Sequence, residues 1–135
     1  MIPRLRLLTA MAVATALLVT STAALAAPSS IIGHWSAPDT YDYDGSTTHM
    51  VISPGPGGTY RIRAWDNPST SGCPETHLIA FIDGTATFDG TNIVKTVVAS
   101  CPSEGTHGSP ATHTMIYDAS TDTIYDTDFN LTYSR

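Results

Sequence analysis

Beyond its N-terminal apolar stretch, this chain never repeats apolar residues at the three-to-four spacing of a helix. Thr, Val, Ile and Tyr recur instead in short segments bounded by Gly, Pro and Asp. Such β-branched side chains are stiff in a way that an extended backbone tolerates well. Alternation is clearest at 60–64, where Tyr60, Ile62 and Ala64 share one face and Arg61 and Arg63 the other. The pattern predicts eight strands, over 31–37, 46–53, 58–66, 76–88, 91–101, 111–118, 122–127 and 130–134. Their connections are short. Ser53-Pro54-Gly55-Pro56-Gly57-Gly58 forces a reversal, Asp89-Gly90 is a two-residue hairpin signal, and Asp118 to Asp122 makes a compact turn.

The first 26 residues have the layout of an export signal. Arg4 and Arg6 supply a basic start, Leu7 to Leu25 an apolar stretch, and Ala24-Leu25-Ala26 a small-x-small cleavage site. Cleavage after Ala26 takes 26 of the 135 residues and leaves a single domain of 109, over 27–135. That domain carries four basic residues, Arg61, Arg63, Lys95 and Arg135, against twelve acidic ones, a balance of −8. Nucleic acid and anionic membrane surfaces both need a cationic footprint, so neither is an expected partner. The expected location is extracellular, and a single Lys beside several Arg and many Ala suits a GC-rich bacterial gene.

In an exported chain, two cysteines are most simply one disulfide, Cys73 to Cys101, and they lack the C-x-x-C spacing of a redox pair. The pairing also decides the path of the chain between them. Were Asp83-Gly84 and Asp89-Gly90 both turns, the cysteines would fall at opposite ends of the sheet, beyond disulfide reach. With Gly84 inside a strand, at a bulge or a close backbone approach, 76–88 pairs with 91–101 around Asp89-Gly90 and the cysteines meet at the open end.

Catalytic and metal motifs are missing. There is no G-x-S-x-G, no H-E-x-x-H and no phosphate-cradling glycine loop, and the chain is not expected to be an enzyme. His34, His49, His77, His107 and His113 show no ligand spacing along the chain, although neighbouring strands can bring such residues together in space. Asp42-x-Asp44-Gly45 and the trio Asp122, Asp126 and Asp128 have the look of calcium-loop fragments but lack the later bidentate Glu. Asp also starts turns without any metal. No cofactor is expected.

Gly33-His34-Trp35 in the first strand, followed by an antiparallel meander and an Arg at the end of the last strand, resembles the calycin superfamily of lipocalins, avidin-like proteins and small bacterial barrel inhibitors. The Cys-to-Cys hairpin and the Tyr-Asp-x-x-Thr-Asp-Thr turn at 117–123 resemble short exported actinobacterial proteins. The calycin resemblance implies an eight-stranded antiparallel up-and-down barrel, with Gly33 and Trp35 closing one end and Arg135 packed over the Trp35 face in a cation–π contact. A closed barrel removes the exposed edges that a sheet must otherwise protect, and eight strands leave room for side chains or one small ligand. The resemblance implies a monomeric binding module holding a small, partly apolar molecule at the barrel mouth, with Trp35, Tyr60 and Tyr133 as contacts. A second expectation is a protein-interaction module such as a small protease inhibitor, presenting Ala27 to Ser30 or the Pro-Gly loop at 53–58.

Overall fold

In the computed structural model, residues 30–41, 44–68 and 72–135 are described. The export signal and Asp42 lie outside them. The described residues form nine strands: β1 Gly33–Pro38, β2 Thr47–Pro54, β3 Tyr60–Asn67, β4 Phe81–Phe88, β5 Asn92–Cys101, β6 Thr106–His107, β7 Ala111–Asp118, β8 Thr123–Asp126 and β9 Leu131–Tyr133. Eight of them pair antiparallel in meander order, and the two-residue β6 sits on the end of β5, paired through Ser100 and Cys101. The sheet curls into a nearly closed up-and-down barrel. Its first and last strands touch through one bridge, in which the amides and carbonyls of Ser36 and Ser134 exchange hydrogen bonds of 2.8 and 2.9 Å.

The period-two pattern becomes an interior and an exterior. Met50 and Ile52 on β2, Ile62 and Ala64 on β3, Ile93 on β5, Met115 and Tyr117 on β7, Ile124 on β8, and Leu131 and Tyr133 on β9 all point inward and are buried. Gly84 lies inside β4, in register with Ile62 on one side and Val97 on the other, so no bulge is present. A Cβ there would overlap the Thr96 carbonyl and stand 2.7 Å from Val97 Cα. The glycine marks a close approach of β4 to β5.

The disulfide joins Cys73 to Cys101, with Cα atoms 5.4 Å apart. The fourth strand, expected from residue 76, starts at Phe81. Residues 73–78 turn back on themselves instead, with the Cys73 carbonyl accepting from the His77 amide and the Cys73 amide donating to the Leu78 carbonyl, each at 2.8 Å. Glu104 fixes that turn from across the disulfide, its carboxylate accepting from the Glu75 and Thr76 amides at 2.8 Å. A side chain from a distant loop thus takes the backbone donors that a strand would have used in its ladder.

Candidate functional site

The two ends of the barrel differ in chemistry. One holds the reversal at 54–60, the β4–β5 turn, the 118–123 turn and Arg135; the other holds the 39–46 loop, the disulfide-linked loops and the 127–130 turn.

The first end is filled. Trp35 is fully buried, its indole N–H donates to the Ile31 carbonyl at 2.9 Å, and its ring meets Tyr117 edge-on. The Arg135 guanidinium lies 4.3 Å from the Trp35 ring centre. That guanidinium donates to the carbonyls of Ile32 and Ser30 at 3.0 Å and grips Asp122 through Nε and a terminal nitrogen at 2.7 Å. Gly33 has a φ of +150°, and a Cβ on it would come within 3.3 Å of the same guanidinium. Gly33, Trp35 and Arg135 are therefore brought together as a plug. The hydrogen bonds from Arg135 hold the Asp122 carboxyl below its usual range, and burial together with the Asp122 contact pushes the Tyr117 phenol up.

The second end is open to a cavity of about 150 Å³. Ile62, Ala64, Ile82, Leu131 and Phe129 give it apolar walls, and Tyr41, Trp65, Asp39 and Asp66 stand with Ala80 around it. Thr48, Lys95 and Tyr133 add further polar groups to its lining. Lys95 is buried and donates to the fully buried Asp126 at 2.6 Å. Its ammonium also lies 5.7 Å from the Phe129 ring centre. Burial, then the negative charges of Asp126, Asp66 and Asp39, raise the Tyr133 phenol well above its usual range, so it stays a neutral hydroxyl. Thr48 Oγ1 is buried and has no hydrogen-bond partner among the described residues. An orphan hydroxyl of this kind costs about 1–3 kcal/mol.

Phe129 separates this cavity from a second one of about 130 Å³, which Ile82 and Lys95 also line, with Val97, Ala99, Ser109, Ala111 and His113 on its far side. The Phe129 ring meets Tyr41 edge-on and lies 5.5 Å from the His113 ring.

Of the three aromatics expected as ligand contacts, Tyr133 lines the cavity while Trp35 and Tyr60 do not. Trp35 is covered by Arg135 at the opposite end, and Tyr60 packs edge-on against Phe88 near the plug. The acids of the supposed calcium clusters take other partners: Asp122 holds Arg135, Asp126 holds Lys95 and Asp128 holds His113 at 2.6 Å, while Asp44 caps the Ser46 amide at 2.7 Å. His77 lies in the turn that follows Cys73, His107 lies on β6 opposite Ser100, and His34 and His49 meet on the outer face of β1 and β2. The Pro-Gly loop is braced by Gly55 and Thr59, whose backbones bond at 2.8 Å; Ala27 to Ser29 lie outside the described residues.

In the sequence, Lys95 and Asp126 stand out only among the basic residues and in a calcium-like acidic trio, and Thr48 and Phe129 are not singled out as site residues. The first two carry a signal, since Ile93-x-Lys95-x-Val97 and Ile124-x-Asp126 each set a charge at an inward position of an alternating strand.

The class that fold and site define is an antiparallel up-and-down barrel, compatible with a calycin-like fold, plugged at one end and hollow at the other. Comparison with family models, curated proteins and solved structures finds no match for the chain.

Proposed function

We propose that this protein is an exported binding module that holds one small, partly apolar molecule in the cavity beneath Tyr41 and Phe129. The observation that carries the reading is a cavity with mainly apolar walls and a few polar side chains in its lining, among them Thr48, whose buried hydroxyl has no partner among the described residues. Burying a polar group without a partner is unfavourable, and an apolar pocket with a few placed polar groups is the usual form of a small-molecule site. A volume of about 150 Å³ matches cavities that take a benzene-sized molecule, so the ligand is a small ring or short chain with one hydrogen-bonding group. The Cys73–Cys101 disulfide suits an oxidising extracellular setting, and it anchors the loop that brings Ala80 to the cavity.

Ligand-observed NMR with a panel of benzene-sized phenols, amines and lactones tests the proposal. Binders should compete with one another and be lost in Ala64→Leu, which fills the cavity from β3 without disturbing its outer face. A panel that binds Ala64→Leu and the unsubstituted protein alike, or binds neither, would remove the reading.

A further inference from the structure

The outer face of β1, β2 and β3 carries a second arrangement. In the β1–β2 register, Ser36 stands opposite His49 and His34 opposite Val51, so the two histidines are diagonal neighbours on one face. His34 Nε2 and His49 Nδ1 are 3.1 Å apart. Trp65 stands directly opposite His49 on β3. Its ring is nearly parallel to both imidazoles, at 7° and 6.0 Å from His34 and 23° and 5.4 Å from His49. His34 is exposed and His49 half-buried.

Two imidazole nitrogens bound to one metal ion at about 2.0–2.1 Å stand about 2.9 Å apart for a square-planar angle and about 3.3 Å for a tetrahedral one. The observed separation lies between these values. Both rings sit on paired strands, so the spacing is held by the sheet ladder and little ordering remains for an arriving ion. Arg63, the nearest cation on this face, is paired with Asp83 at 2.6 Å and leaves the local charge balanced. Among the described residues, no His, Cys, Asp or Glu joins the pair as a third ligand, so water would complete the shell.

We propose that His34 and His49 form a two-histidine site for a divalent transition-metal ion, with copper(II) bound more tightly than nickel(II) or zinc(II). The preference follows from imidazole donors, open positions and the ordinary order of divalent affinities. Binding replaces the contact between the rings. Only one of the two facing nitrogens carries the proton of that hydrogen bond, and moving that proton to the other nitrogen of its own ring leaves a lone pair on each facing nitrogen for the metal.

Trp65 makes the site directly readable, because a paramagnetic ion a few ångströms from an indole quenches its fluorescence. Copper(II) is titrated into the purified protein, prepared without a polyhistidine tag, while fluorescence and electron paramagnetic resonance are recorded. The expected result is saturable quenching at one equivalent, reversed by a chelator, with a spectrum showing nitrogen donors. His34→Gln and His49→Gln should each weaken binding at least tenfold at unchanged thermal midpoint, and His77→Gln should leave it unaltered. Trp65→Phe should keep the nitrogen-donor spectrum while losing most of the quenching. Copper binding that persists at full strength in both His34→Gln and His49→Gln, or that needs millimolar metal, would overturn the assignment.

Discussion

Among the described residues Arg135 makes four hydrogen bonds, two to the carbonyls of Ser30 and Ile32 and two to Asp122, and it covers the Trp35 ring. A single side chain therefore links the last strand to the first at the filled end. Trp35→Ala empties the space beneath it and should cost about 3–5 kcal/mol in urea unfolding. Lys95 and Asp126 show a different economy at the other end. Lys95→Met leaves a fully buried carboxylate uncompensated and should cost about 3–5 kcal/mol, whereas the double change Lys95→Met with Asp126→Leu should recover most of that loss. If the double variant is no more stable than the single one, the cost lies in packing and not in charge. Thr48→Val removes the orphan hydroxyl, so it should leave the unliganded protein as stable or more so while weakening ligand binding. Of these residues, the sequence makes Gly33, Trp35 and Arg135 visible, through a short motif and a chain end. Lys95 and Asp126 are harder to see, because a charge at an inward strand position resembles an exposed one until its partner, on a strand far along the chain, is known.

Strands and turns show where local pattern suffices and where it fails. The β4–β5 hairpin follows its Asp89-Gly90 signal closely. Asp89 accepts from the Asn92 side chain and from the Asn92 and Thr91 amides, which together hold its carboxyl down at about 2. Hydrogen bonds to Ser120 likewise lower Asp118, and Arg135 lowers Asp122. Each carboxyl is more acidic in the folded chain than in the unfolded one, where 3.8 is its ordinary value. The stability they contribute is therefore complete above that value and is lost as pH falls through the folded values. Thermal midpoints should drop as pH is lowered from about 4 to about 2, and Asp89→Asn should flatten part of that slope. Gly84→Ala forces β4 away from β5 and should destabilise by about 1–3 kcal/mol, as overpacking does. The beginning of β4 was not legible, because Thr76 and its neighbours have strand-like composition. Their fate is decided by Glu104, a residue from beyond the disulfide that no local window includes.

At the scale of the whole molecule, a barrel joined by one Ser36–Ser134 bridge relies on side chains for the rest of its closure. The plug provides this at one end. At the other, the disulfide ties the 73–80 loop to β5, closing a 29-residue span for which chain entropy gives about 3–4 kcal/mol. Reduction should lower the urea midpoint accordingly and weaken ligand binding as well, since the same loop carries Ala80 to the cavity. We propose this hollow end as a small-molecule site with Thr48 as its polar anchor. A crystal structure of the protein soaked with the tightest binder from the fragment panel tests it most directly. Density is expected inside the cavity, with a polar atom of the ligand within hydrogen-bond distance of Thr48 Oγ1. Density only on the outer surface, or an empty cavity under saturating ligand, would contradict it.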